Sequence, residues 1–79
     1  MGRIKRTPTK DELTAFDEVV AILGGDLAVA RAVGNLSKSA IQRWHRTGVP
    51  AERCADLERL SGIPRGRLRP DLFDLPDAA

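Results

Sequence analysis

Residues 26–45 read DLAVARAVGNLSKSAIQRWH, and this stretch decides the fold. Its first half carries small apolar side chains at the spacing of one helical face, namely Val29, Ala30 and Val33. Gly34 follows, and a glycine at this point can adopt the left-handed backbone conformation that ends a helix. The pattern therefore predicts a short helix that stops at Gly34 and is followed by a tight turn.

A second helix is predicted to begin at Ser37, which is a favourable N-cap residue. Leu36 and Ile41 flank this cap in the positions of a hydrophobic staple, which fixes the angle at which the chain enters the helix. Ile41 and Trp44 are three residues apart, so both face inward; base stacking by Trp44 is the less favoured alternative. Two short helices joined by a glycine-containing turn predict a helix-turn-helix.

The outward face of the second helix suits DNA. Base-reading side chains are expected at Lys38, Ser39, Gln42 and Arg43. The Gln42 amide can form two hydrogen bonds with an adenine edge, whereas Lys38 and Arg43 can reach guanine or phosphate. Side chains that flank this face are expected to contact phosphates, namely Arg31, Ser37, Arg46 and Arg53. The alternative is a helical hairpin whose basic face is only solvated.

Charge is segregated along the 79 residues, although the net charge is only +2. The net charge is +4 over residues 1–10, −5 over 11–26, +6 over 27–70 and −3 over 71–79. The basic segment contains the helix-turn-helix and has the sign that DNA requires. An acidic first helix is expected to face away from DNA.

Three regions are predicted from this pattern: a flexible basic arm over residues 1–8, a helix-turn-helix domain over 9–73 and a flexible acidic tail over 74–79. The arm carries Arg3, Lys5 and Arg6 without an apolar pattern. It either follows DNA or remains a solvated tail, because short blocks of charge are often disordered.

A helix is predicted before the helix-turn-helix. Thr9 and Glu12 have the spacing of a capping box, so this helix begins at Thr9. Its apolar stripe is expected to be core and comprises Leu13, Phe16, Val19, Val20 and Leu23. Gly24 and Gly25 end the helix, and Asp26 is expected to cap the next one.

Two helices are predicted after the helix-turn-helix. Pro50 leads into the first of them, which is closed by Gly62 and has an inward face of Cys54, Leu57 and Leu60. Pro64 opens a short fifth helix that ends before Pro70, because proline disfavours helix in the residue before it. The segment after Gly62 is expected to be helical or irregular, since it lacks the alternation of a strand.

The composition argues against an enzyme, a metal site, a cofactor or a membrane protein. One cysteine and one histidine cannot form an internal disulfide or a zinc site, and no run of spanning length or signal peptide is present. A cytoplasmic protein is expected. Cys54 is interpreted as a small buried hydrophobe, and His45 either contacts a phosphate or lies near the C-terminus of its helix.

A homodimer is expected because so short a chain forms a small core. Leu68, Leu72 and Phe73 form an apolar group near its end, and they are predicted to lie between two subunits. The alternative is that Phe73 folds back onto its own core.

Beyond these patterns, GGDLAVARAVG, SAIQRW and VPAERCADLERLSGIPRGRLRPDLF resemble the Cro-type repressors of phages and prophages and the related YdaS-like antitoxins. The resemblance covers about residues 19–73. The usual turn of this family runs Gly-Val-x-x-Ser-Ala-Ile, whereas this chain holds one extra residue, with Asn35 inserted or displaced. Leu36 is expected to take the buried turn position because it is apolar; otherwise the entry to the second helix bulges at Asn35.

The resemblance implies a double-stranded DNA-binding transcriptional regulator, a Cro-type repressor at a prophage promoter. The alternative that it implies is an antitoxin that binds a toxin protein and represses its own operon. RNA binding is less favoured, because the chain lacks exposed aromatic stacking platforms.

Overall fold

The computed structural model describes residues 7–73, and no strand is present among them. Five helices follow one another: α1 (Lys10–Leu23), α2 (Asp26–Ala32), α3 (Lys38–Thr47), α4 (Ala51–Ser61) and α5 (Arg65–Leu68). The predicted all-α bundle of four to five short helices is confirmed. Arg3, Lys5 and Arg6 of the predicted arm and the predicted tail over residues 74–79 lie outside the described residues.

The ends of the helices follow local chemistry. Thr9 is the N-cap of α1, and its hydroxyl oxygen accepts a hydrogen bond of 3.2 Å from the Glu12 backbone N–H. Gly24 ends α1 in the left-handed conformation with φ 105°, which is sterically unfavourable for a residue that has a side chain. Pro50 and Pro64 precede α4 and α5 as predicted, because each proline presets an extended entry to a helix.

The core lies between α1 and the other four helices, all of which pack against it. Ala15, Phe16 and Val19 of α1 are almost completely buried, and the Phe16 ring meets the Trp44 ring edge-on at a centroid distance of 6.0 Å. The remaining buried apolar residues are Val29, Ala30, Val33, Ile41, Trp44, Val49, Cys54, Leu57 and Leu68. The predicted core positions of Trp44 and Cys54 are confirmed. Burial raises the pKa of the Cys54 thiol to about 11, so this thiol stays protonated.

An ion pair holds α5 against α1. The Arg67 guanidinium donates two hydrogen bonds to the Glu18 carboxylate, at 3.1 and 2.5 Å. These bonds hold the pKa of Glu18 below its ordinary value, since they favour the charged carboxylate. The stabilisation is therefore present above the ordinary carboxyl range and is lost as the pH falls through the lowered pKa.

The predicted dimer role of Leu68 is wrong, because this side chain is fully buried within the monomer. Gly66 is also buried, so α5 lies close to its neighbours and its leucine fills their core. Phe73 is partly buried against the same core, as the alternative prediction had it, and its ring lies 5.5 Å from the Arg65 guanidinium carbon. Leu72 remains 50% exposed.

Leu68→Ala is expected to lower the free energy of unfolding by about 2–5 kcal/mol, because it removes a buried side chain and leaves a cavity. Leu27→Ala is the matched control and is expected to change this free energy by about 0.5 kcal/mol or less, since Leu27 is 47% exposed and loses little packing. Urea denaturation followed by circular dichroism measures both values. Equal losses in the two variants would contradict the burial of Leu68.

Candidate nucleic-acid interface

The turn between α2 and α3 accommodates the extra residue, Asn35, and Leu36 keeps the buried position of the turn. Gly34 and Asn35 have positive φ angles of 137° and 61°, and asparagine is among the few residues other than glycine that tolerate this region. The Leu36 N–H returns to the Ala30 carbonyl at 2.8 Å. Leu36 packs against the core while Asn35 is exposed, so the predicted assignment of the buried turn position to Leu36 is confirmed.

The start of α3 is fixed by Ser37, as predicted. Its hydroxyl oxygen accepts a hydrogen bond of 3.2 Å from the Ala40 backbone N–H. The first turn contains no acidic residue, so the partial positive charge of the helix N-terminus is not neutralised by a carboxylate of that turn.

The two faces of α3 separate core from surface. Ile41 and Trp44 face inward, with exposed fractions of 0% and 6%. The predicted DNA-facing residues of this helix are all exposed, namely Lys38, Ser39, Gln42, Arg43 and Arg46. Their spacing places them on one side of α3, because residues three or four positions apart share a helical face. Arg31 is exposed near the end of the neighbouring α2.

Arg59 of α4 and the three arginines of the C-terminal segment have carboxylate partners. These ion pairs are Arg59–Asp56, Arg65–Glu58, Arg67–Glu18 and Arg69–Asp71, with nitrogen–oxygen distances of 3.6, 2.9, 2.5 and 2.9 Å.

The cations of α2 and α3 differ in this respect. Within residues 7–73, no ion pair involves Arg31, Lys38, Arg43 or Arg46. The exposed face of α2 and α3, called here the basic face and defined by these four residues, therefore keeps its positive charge for an external anion.

Arg53 has a structural role that the sequence did not indicate. Its Nη1 donates a hydrogen bond of 3.1 Å to the Val33 carbonyl, and carbonyls at the end of a helix such as α2 lack a partner within the helix. The same nitrogen lies 3.7 Å from the position that a side chain on Gly34 would occupy. Arg53 thus supports the turn, and its predicted phosphate contact stays a proposal.

His45 has partners that the sequence did not predict. Its Nδ1 lies 3.2 Å from Asp17 Oδ1 on α1, and its Nε2 lies 2.8 Å from Asp26 Oδ1 on α2. The ring also packs against Phe16 at a centroid distance of 4.7 Å. The prediction that Asp26 caps α2 is wrong: Gly25 is the N-cap, and Asp26 is the first helical residue, with its carboxylate turned to His45.

Residues 7–73 contain neither a membrane-spanning helix nor a metal-binding cluster. None of their helices is long and apolar enough to cross a membrane. No group of three or more histidine, cysteine or acidic side chains in this part of the chain could hold a metal ion.

Comparison with known proteins agrees with this geometry. The structure of the Cro protein from the prophage element Xfaso 1 of Xylella fastidiosa strain Ann-1 has a TM-score of 0.72 and 41% identity, and the match covers 77% of this chain and 97% of that one. A protein of Escherichia coli (strain K12), provisionally named transcriptional regulator YdaS, is 36% identical over an alignment of 70 residues, and the match covers 80% of this chain and 67% of that protein.

The fold and these relatives define a Cro-like helix-turn-helix protein. A family model described as "Bacterial toxin YdaS" matches residues 16–76. The chain belongs to this YdaS family.

Ser37→Ala is expected to lower the free energy of unfolding by about 1 kcal/mol, because it removes the side-chain acceptor at the start of α3. Ser39→Ala is the matched control: Ser39 is exposed in the same turn and is not the cap, so we expect little change. Thermal and urea denaturation of both variants measure the difference. A loss as large in Ser39→Ala would contradict the capping role of Ser37.

Proposed function

We propose that this protein is a sequence-specific regulator of transcription that binds double-stranded DNA with α3 in the major groove. The observation that carries the proposal is the basic face: four exposed cations on α2 and α3 have no ion pair within residues 7–73, whereas the arginines of α5 do. Exposed charges without internal partners are available to neutralise phosphates. The names of the E. coli and Xylella relatives support the same function.

Base recognition is assigned to the middle of α3. Gln42 is exposed and follows the buried Ile41, so the core fixes the side of the helix from which it projects. Its amide matches the donor and acceptor pattern of adenine in the major groove. Lys38, Ser39 and Arg43 lie on the same face and read guanine edges or phosphates.

Phosphate contacts are assigned to the periphery of the basic face. Arg31 is exposed in the last turn of α2 and Arg46 in the last turn of α3, and the N-terminus of α3 at Ser37 offers backbone donors. The basic arm, with Arg3, Lys5 and Arg6, adds further cations. Arg53 is also assigned a phosphate contact, in addition to the turn that it supports.

A homodimer on a two-fold symmetric operator is part of the proposal. One α3 helix reads only one half-site, and helix-turn-helix dimers bind half-sites about 34 Å apart. With Leu68 buried, the exposed Leu72 and the exposed part of Phe73 are the remaining residues of the predicted interface. A prophage promoter is the proposed target.

The alternative function is a toxin–antitoxin role with a protein partner. The description of the family names a toxin, whereas the two relatives are named a transcriptional regulator and a Cro protein. We favour DNA because the basic face offers cations and hydrogen-bonding groups instead of an apolar surface, whereas the buried core of a protein interface is depleted of charged residues as a class.

Selection of binding sites from random duplexes with the purified full chain tests sequence-specific binding, and a palindromic site is expected.

Gln42→Ala is then expected to weaken binding to the selected site by about 1–3 kcal/mol and to relax specificity at one base pair, because it removes the bidentate amide. Fluorescence anisotropy on the selected duplex and on single-base variants measures this. Equal losses on selected and unselected DNA would show that Gln42 does not read a base.

Arg46→Ala is expected to reduce the slope of log K against log salt concentration by about 0.9, because each lost phosphate contact releases one fewer counterion. Arg59→Ala is the matched control, since Arg59 lies on α4 and pairs with Asp56. Titrations at several salt concentrations give both slopes, and removal of residues 1–8 tests the arm in the same assay. An unchanged slope in Arg46→Ala would remove this residue from the interface.

A further inference from the structure

His45 is the one histidine of the chain, and three helices meet at its ring. The ring belongs to α3, one nitrogen faces the carboxylate of Asp17 on α1, and the other faces the carboxylate of Asp26 on α2. Phe16 supports the ring from the core. The helix that carries the proposed base-reading side chains is thus tied to both neighbouring helices through a single imidazole.

Two carboxylate partners require two N–H donors. An ionised carboxylate only accepts hydrogen bonds, a neutral imidazole donates from one nitrogen, and an imidazolium donates from both. The helix dipoles favour a positive charge on His45, which lies in the last turn of α3, and a negative charge on Asp26, which lies in the first turn of α2. The arrangement of the two carboxylates therefore suits a doubly protonated ring.

We propose that the doubly protonated His45 is a positioning residue that sets α3 against α1 and α2, so that DNA binding depends on the protonation of this ring. The DNA part of this inference rests on the proposed function. When the ring loses a proton, one of its two bonds must break. The side chain of Asp17 is 67% exposed and that of Asp26 only 20%, so Asp17 turns to solvent and the bond to Asp26 is kept.

Loss of the proton also changes the charge beside the basic face. The titratable groups that face the ring are Asp17 from α1 and Asp26 from α2, the two helices that pack against α3, and Arg46 follows His45 on α3 itself. A neutral ring leaves two carboxylates without their shared cation, next to a proposed phosphate contact. We call the two hydrogen bonds from His45 to Asp17 and Asp26 the histidine tie. The loss of one of these bonds and the added negative potential both lower DNA affinity as the pH rises.

The test compares the wild-type protein with His45→Gln between about pH 5 and 8, the range in which histidine changes charge. Glutamine keeps a hydrogen-bonding side chain but does not titrate. At constant ionic strength, wild-type affinity for the selected duplex is expected to fall about three- to tenfold as the pH rises, the effect of one partly exposed charged contact, and that of His45→Gln to stay flat. A pH slope retained in His45→Gln would overturn the proposal.

Asp17→Asn and Asp11→Asn form a matched pair that avoids the risk of unfolding. Each removes one carboxylate charge from an exposed position of α1, but only Asp17 contacts the ring. Asp17→Asn is expected to reduce the pH slope, and Asp11→Asn to leave it unchanged. Equal slopes in the two variants would also overturn the proposal.

Two measurements without DNA test the histidine tie independently of the proposed function. The ¹⁵N chemical shifts of the single histidine report which ring nitrogens carry protons, and the neutral form is expected to keep its proton on Nε2, opposite Asp26. The melting temperature of the wild type is expected to fall relative to His45→Gln as the pH rises through this range. If both effects are present but no duplex is bound selectively, the tie stands and the proposed function fails; if both are absent, the tie is overturned.

Discussion

The packing of Phe16 is the constraint on which the rest of the structure depends. This ring is 1% exposed, meets Trp44 edge-on at 6.0 Å and lies 4.7 Å from the His45 ring. Aromatic contacts of this kind contribute about 0.5–1.5 kcal/mol beyond the burial of area. Because both of these contacts are made with residues of α3, the same side chain that completes the core also fixes which face of α3 points outward.

The electrostatics of the surface follow from which charges are paired within the protein. Three acidic residues of α1 and α2 are engaged by internal partners, since Glu18 binds Arg67 and both Asp17 and Asp26 bind His45. These partners come from α5 and from the inner edge of α3. The cations of the basic face are left without such partners in the described part of the chain. The net charge is only +2, but unpaired positive charge is therefore concentrated on this face.

The sequence by itself determined the local features of this protein. The cap at Thr9, the cap at Ser37 and the helix stop at Gly62 were predicted correctly, because each depends on residues within one turn of the position concerned. The inward faces of α3 and α4 were also predicted, since helical periodicity places Ile41 beside Trp44 and Cys54 beside Leu57. These local rules were sufficient for the helix-turn-helix and for the side of α3 that faces away from the core.

Only the tertiary structure decided the contacts between distant parts of the chain. Composition could not show whether Leu68 covers its own core or a second subunit, because an apolar side chain gains from either burial. Likewise, the Arg53 bond to Val33, the His45 bond to Asp26 and the Arg67 bond to Glu18 join residues 20, 19 and 49 positions apart. No local spacing encodes such pairs, because their geometry exists only after the helices have packed.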